Sequence, residues 1–231
     1  MTAPARGPDE SRSERFAAER EALVRSIRFD ITDERLLGAL ARVPRERFIA
    51  PELRLHAYED RPLPIGHGQT TSQPRMIALM LQELRLTGSE KVLEVGAGAG
   101  YQTALLAELA REVVAVELIP ELAERARRTL AVLGYTNVKL YVATDVLGWP
   151  EEAPYDAVVV AAAAPRIPQS LVDQMAAGGR LVIPVGTREG QDLLVAEKTP
   201  EGVSVARKGG CRFVPLIGKE AYAPAEDDSE S

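Results

Sequence analysis

Lys91-Val92-Leu93-Glu94-Val95-Gly96-Ala97-Gly98-Ala99-Gly100-Tyr101 decides the fold of this chain. Val92, Leu93 and Val95 form a short apolar run of buried-strand type. An acid interrupts the run, glycines follow at alternate positions, and a helical pattern begins at Tyr101. Glycines let the backbone turn sharply after a strand and let a ligand lie against bare peptide. The spacing is Glu-x-Gly-x-Gly-x-Gly. A dinucleotide fingerprint needs Gly-x-Gly-x-x-Gly, and Tyr101 stands where its last glycine should be. An acid ahead of the glycines repels a pyrophosphate. It suits a ligand with an amino group and no phosphate, such as S-adenosylmethionine (AdoMet). An ordinary strand-to-helix turn carries similar glycines, so the loop alone leaves both readings open.

The next strand narrows the choice. Glu112-Val113-Val114-Ala115-Val116-Glu117 is again apolar and ends in an acid. Glu117 falls at the roughly 20-residue offset where nucleotide-binding folds place a carboxylate for ribose hydroxyls. A carboxylate can accept from two vicinal hydroxyls. The alternative is a solvated charge at a strand end.

Outward from these strands, apolar segments alternate with helical ones. Strands are expected at Val92–Val95, Val113–Glu117, Val138–Val142, Ala157–Ala161, Leu181–Val185, Leu193–Lys198 and near Val203–Phe213. Helices are expected at Tyr101–Ala110, Pro120–Leu133 and Pro168–Ala176, with Gly134 and Gly178-Gly179 marking helix ends. Such alternation predicts a mostly parallel sheet covered on both faces. The last strands have no helix between them, which predicts an antiparallel hairpin at one edge. Residues 87–222 would form this core. Residues 14–86 would form a helical subdomain, with helices over Phe16–Arg28, Thr32–Val43 and Met76–Leu86. A long Pro- and Gly-rich loop, Tyr58–Pro74, lies between the last two. Residues 1–13 and the acidic 223–231 read as disordered tails.

Composition excludes several classes. With 231 residues, 45% hydrophobic and 27% charged, the chain is of globular type. The net charge of -6 and the lack of a Lys/Arg block disfavour nucleic acid as a partner. No run of 18 apolar residues or signal pattern is present, so neither a membrane nor export is expected. The single Cys211 forbids an internal disulfide and fits a reducing cytoplasm; it reads as a packed strand residue. His56 and His67 are the only histidines, too few for a structural zinc site or a His-based triad.

Several segments together resemble the protein-L-isoaspartate O-methyltransferase family, from about Leu36 to Leu216. The most selective is Tyr58-Glu59-Asp60-Arg61-Pro62-Leu63-Pro64-Ile65-Gly66-His67-Gly68-Gln69-Thr70-Thr71-Ser72-Gln73-Pro74, similar to the family's signature loop. Val92–Tyr101 resembles its AdoMet motif. Ala153–Ala157, Ala161–Pro165, Gly178–Gly186 and Arg212–Leu216 are similar to further family segments.

The resemblance implies a Rossmann-like class I AdoMet-dependent methyltransferase fold, with an antiparallel edge strand and an N-terminal helical subdomain. The implied activity is methyl transfer from AdoMet to the α-carboxylate of L-isoaspartyl residues in damaged proteins. A related carboxyl methyltransferase, maturing one particular peptide, is the alternative. A nicotinamide oxidoreductase is disfavoured by Tyr101 and Glu94. A cytoplasmic monomer acting on isoaspartyl proteins and peptides is expected, with no metal.

By the same resemblance Ser72 takes the active-site serine position. Thr70, Thr71, Glu94, Gly96, Ala97, Gly98, Gly100, Glu117, Thr144 and Asp145 fall on the cofactor side. Pro64, Ile65, His67, Ala162, Pro165 and Val214 fall on the substrate side. Two departures stand out. The family's usual Gly-Asp-Gly after the third strand is Ala143-Thr144-Asp145 here, so either Thr144 or Asp145 would meet adenine. Thr71 replaces a common isoleucine.

The chemistry needs no histidine. An α-carboxyl, with a reference pKa of about 3.5, is already ionised near neutral pH. Holding the reactants in line can supply roughly 7–11 kcal/mol of the barrier lowering. A hydroxyl such as Ser72 can orient one carboxylate oxygen while the other attacks. Ser72 could equally cap the helix that Gln73-Pro74 begins. His67 reads either as a proton shuttle or substrate contact or as a loop hydrogen-bonding residue. Trp149 reads as a packing anchor.

Overall fold

The computed structural model describes residues 8–223, with side chains from Arg12 onward. The first described element is α1 (Pro8–Ile27), which buries Phe16, Leu23 and Ile27 along one stripe. Residues 8–13, expected in a disordered tail, are the first turns of this helix. Residues 1–7 and 224–231 lie outside the described residues. Next comes α2 (Glu34–Arg42), capped by the Asp33 carboxylate, which accepts from the Arg35 and Leu36 amides at 2.9 and 3.1 Å. Leu36, Leu37 and Leu40 of α2 are buried.

The expected loop Tyr58–Pro74 contains an antiparallel hairpin, β1 (Leu63–Gly66) and β2 (Gln69–Thr71). Its turn is His67-Gly68, with φ of 53° and 69°. Two positive φ values are what a two-residue hairpin turn demands. Pro74 then opens α3 (Pro74–Leu84) at a position where its missing amide hydrogen costs nothing.

The core follows as β3 (Lys91–Val95), α4 (Tyr101–Leu109), β4 (Glu112–Glu117), α5 (Pro120–Val132), β5 (Val138–Val142), β6 (Tyr155–Val160), α6 (Gln169–Asp173), β7 (Met175–Gly186), β8 (Gln191–Thr199) and β9 (Gly202–Cys211). The seven core strands lie in the order β5-β4-β3-β6-β7-β8-β9. β5 through β7 pair in parallel, and β8 and β9 add antiparallel at the edge. Side chains alternate across the sheet. Val92, Val113 and Ala115 join the core that includes α1 to α5, whereas Leu93, Val95, Val114 and Val116 join the opposite core with α6. Fully burying one such aliphatic side chain contributes about 1.5–3 kcal/mol.

Two expectations fail at α6. The helix ends at Asp173 instead of Ala176, and Met175 already pairs with Tyr155 in β7. Gly178-Gly179 therefore lies within a long strand and ends no helix. A Cβ on Gly179 would sit 2.9 Å from the Ala176 carbonyl oxygen and 3.1 Å from that of Tyr155. Glycine is needed there for close backbone approach at a register shift, not to stop a helix.

The chain runs outward from β3 to β5 and then returns to β6 on the other side of β3. Open sheets bind ligands at such a switch, beyond the carboxyl ends of the strands.

Candidate active site

Three adjoining cavities occupy this switch. The one with the most extensive lining, the large cleft, encloses about 910 Å³ counting the space open to solvent and lies between the ends of β3, β4, β5 and β6. A second opens between Ser72, Met76 and the segment Gly210–Val214. A third, smaller cavity lies beneath the glycine loop and is lined by Thr71, Ser72, Ala97 and Gln102 among others. Thr70 and Ala161 line all three.

The glycine loop is built by backbone. Gly96, Gly98 and Gly100 take φ of 89°, 56° and 93°, where a side chain would be strained. The Gly96 and Ala97 amides donate to the Val116 carbonyl at 2.8 and 3.1 Å, tying the loop to the end of β4. Glu117 completes the tie. Its carboxylate accepts from the Gly98 amide at 2.7 Å and from the Ile119 amide at 2.9 Å. It is buried yet lines the large cleft, so lone pairs remain for a ligand. Gly98 also lines the cleft, and a Cβ there would come within 3.1 Å of Ile65 Cδ1. Gly100 lines none of the cavities; a Cβ on it would press on Ala126 Cβ at 3.1 Å, so it serves the packing of α4 on α5.

Leu118, Ile119, Leu122, Val146 and Leu147 supply apolar walls. Thr144 and Asp145 stand at the rim and are exposed. The Thr144 hydroxyl already accepts from the Val146 amide at 3.3 Å. The Asp145 carboxylate has no protein partner among the described residues.

Glu94 is expected in this cleft and lies elsewhere. It is fully buried and lines none of the three cavities. Thr103 Oγ1 donates to it at 2.5 Å and Gln102 Nε2 at 3.0 Å. It thereby clamps the first turn of α4 to β3. Burial pushes its pKa up to about 7; the two hydrogen bonds oppose this rise and the Glu117 charge adds to it.

On the other side, the β1–β2 hairpin brings Ile65 and Thr70 to the large cleft, and the chain just after it brings Ser72 to the other two cavities. Arg125 Nη2 donates to the Ile65 carbonyl at 2.9 Å and anchors the hairpin to α5. Ser72 does not cap α3. Asp60 does, accepting from the Arg75 amide at 2.9 Å and from Gln73 Nε2 at 2.9 Å. The Ser72 hydroxyl is left without a protein partner among the described residues. Ala162 lines the large cleft, and Val214 lines both the large and the second cleft. Pro64, His67 and Pro165 line none of them; His67 is exposed at the hairpin tip. Trp149 stacks on Tyr141 at 4.2 Å, as a packing anchor would. Cys211 ends β9 half-buried at the second cleft, its thiol pushed up to about 11 by burial and by Asp192.

Sequence reading missed Asp60, Arg125 and the apolar wall from Leu118 to Leu122. The wall had a signal in the apolar pair that follows Glu117. The others are single residues whose importance comes from contacts distant in the chain.

The family model for protein-L-isoaspartate(D-aspartate) O-methyltransferase matches residues 18–221. A protein-L-isoaspartate O-methyltransferase 1 of Syntrophobacter fumaroxidans is 53% identical over 189 residues, covering 82% of this chain and 88% of that protein. A solved protein-L-isoaspartate O-methyltransferase superposes with a TM-score of 0.78 at 27% identity, covering 87% of this chain and 67% of the other. A Plasmodium falciparum structure described as a protein-L-isoaspartate O-methyltransferase, in complex with S-adenosyl-L-homocysteine, gives a TM-score of 0.72 at 25% identity. It covers 86% of this chain and 96% of its own.

Proposed function

This chain belongs to the protein-L-isoaspartate(D-aspartate) O-methyltransferase family, and we propose on that premise that its two clefts divide the reaction between them. The protein methylates L-isoaspartyl residues of damaged proteins and peptides, using AdoMet. The large cleft holds AdoMet and the second cleft holds the acceptor chain. The observation that carries this division is Ser72: its hydroxyl is free, and it stands where the second cleft meets the cavity under the glycine loop.

The residues present fit AdoMet. Glu117, which lines the cleft, takes the ribose hydroxyls. Gly96 and Gly98 present bare backbone, and Leu118, Leu122 and Leu147 offer apolar surface for a base. Asp145 takes the adenine amino group: its carboxylate has no protein partner among the described residues, whereas the Thr144 hydroxyl gives one of its two lone pairs to the Val146 amide. Glu94 supports the loop from within. Bound AdoMet supplies a methyl group on a sulfonium, which leaves a neutral thioether when the methyl departs.

The chain's own part is orientation. The acceptor carboxylate arrives ionised and requires no base. Ser72 donates to one of its oxygens and leaves the other free to attack. Arg212 sets a positive charge at the second cleft, which favours an anionic acceptor. The acceptor main chain lies against Ala161, Val214 and the hairpin. Pro64, His67 and Pro165 have supporting rather than contact roles. The single cysteine suits a cytoplasmic setting.

The test is a labelled-methyl assay on two peptides that differ only in aspartyl against isoaspartyl linkage. The isoaspartyl peptide should be methylated and the aspartyl peptide ignored. Equal labelling of both would overturn the repair reading.

A further inference from the structure

Arg45 is a fully buried cation with unsatisfied donors. It lies in a short 3-10 turn between α2 and the hairpin, and its side chain is entirely buried. Nη2 donates to the Ser72 carbonyl at 3.1 Å. The guanidinium also lies over the Tyr101 ring, 4.8 Å from its centroid. Phe48 packs edge-on against the same ring at 5.8 Å. Nε and Nη1 have no hydrogen-bond partner among the described residues. Burial pulls the pKa below the ordinary arginine value, while Tyr101, Tyr58 and Asp60 oppose the shift.

Folding does not call for this arrangement. A buried cation with one hydrogen bond carries a desolvation cost that its contacts do not fully offset. An apolar side chain of similar length would fill the space without that cost. Its two contacts, however, join the two halves of the site. Tyr101 is the first residue of α4, directly after the glycine loop. Ser72 carries the free hydroxyl at the acceptor cleft. With its carbonyl held from one side and Gln73 and Arg75 held by Asp60 from the other, the Ser72 backbone is fixed. Only χ1 then moves its hydroxyl.

We propose that Arg45 is a positioning residue for methyl transfer: by bridging the Tyr101 ring to the Ser72 carbonyl, it sets the Ser72 hydroxyl at a fixed place relative to the cofactor loop. This rests on the role given above to Ser72. Arg45 lines none of the three cavities, so its effect must pass through Ser72.

The experiment compares the full-length parent, Arg45→Met, Ser72→Ala and the double variant. Each is followed by thermal melting, by AdoMet titration calorimetry, and by kcat and KM on an isoaspartyl peptide. Arg45→Met should melt at the parent temperature or above it, because a buried charge has been removed. Its AdoMet Kd and peptide KM should stay within about threefold, while kcat falls at least about tenfold. The double variant should be slower than Ser72→Ala by no more than about twofold, because the two residues act as one unit. Failure of Arg45→Met to fold, or a lower melting temperature, would make Arg45 a structural staple and overturn the proposal. So would kcat within about twofold of the parent, or losses that multiply in the double variant. Full activity of Ser72→Ala would remove the Ser72 reading, and this proposal with it. An impaired Ser72→Ala beside an unimpaired Arg45→Met would remove Arg45 alone.

Discussion

The two clefts meet at Thr70 and Ala161, yet they are built in opposite ways. The cofactor cleft stands on the ends of parallel strands. Its loop amides are already spoken for by Val116 and Glu117, and its acid support, Glu94, is buried behind it. The acceptor cleft stands on a short hairpin and on the chain leaving the edge strand β9, whose residues are mostly exposed. Its key hydroxyl has no protein partner among the described residues. A ligand of constant structure suits a pre-formed site, which spends little on ordering. An acceptor that varies in sequence around one common group suits an open site with few fixed polar contacts. Binding and turnover should therefore separate by region.

The largest effect should come from Glu117. It holds the loop and faces the cleft, so Glu117→Ala removes charge-assisted bonds of about 1.5–3 kcal/mol each. AdoMet affinity should fall at least about tenfold by calorimetric titration. Unchanged affinity would break the contrast at its cofactor end.

Glu94 should act on stability rather than contact. Its pKa is about 7 in the folded protein against an ordinary value of 4.5. Between these values the folded state binds more protons than the unfolded state. This contribution is fully present below the unfolded pKa and is lost as pH rises through about 7. Glu94→Gln should remove that decline, on the order of 1–3 kcal/mol, in denaturant titrations at acidic and alkaline pH. Parallel pH dependence in parent and variant would show that the carboxyl is not protonated in place.

The smallest effect should separate Asp145 from Thr144. Asp145→Ala should weaken AdoMet by about 1 kcal/mol, a few-fold in Kd. Thr144→Ala should leave Kd within about twofold, since its hydroxyl serves the local turn. The reverse ranking would give the adenine contact to Thr144.

Much of the cofactor cleft could be read along the chain. Apolar runs mark β3 and β4, and the glycines and Glu117 follow within about 20 residues of each other. These features are local, and the backbone they describe is local too. The acceptor side was legible only through resemblance. The hairpin hides in the Pro- and Gly-rich loop because β2 is three residues long and its turn uses His67 at positive φ. Glu94 was misplaced because an acid inside a strand can face either side, and only the packing of Gln102 and Thr103 decides which. Gly178-Gly179 misled for a similar reason: a glycine that stops a helix and one that admits a neighbouring carbonyl look the same in sequence. Arg45 and Asp60 gave no signal, since ordinary surface residues have the same letters. Their burial and their hold on Ser72, Gln73 and Arg75 are long-range facts.

The division of labour is tested most directly by Ser72→Ala, measured with AdoMet bound to saturation in a single-turnover assay on an isoaspartyl peptide. AdoMet affinity should stay within about twofold of the parent, while the rate of methyl transfer falls at least about tenfold. A variant that transfers methyl at the parent rate, or that loses AdoMet binding together with rate, would contradict the assignment of orientation to the acceptor cleft.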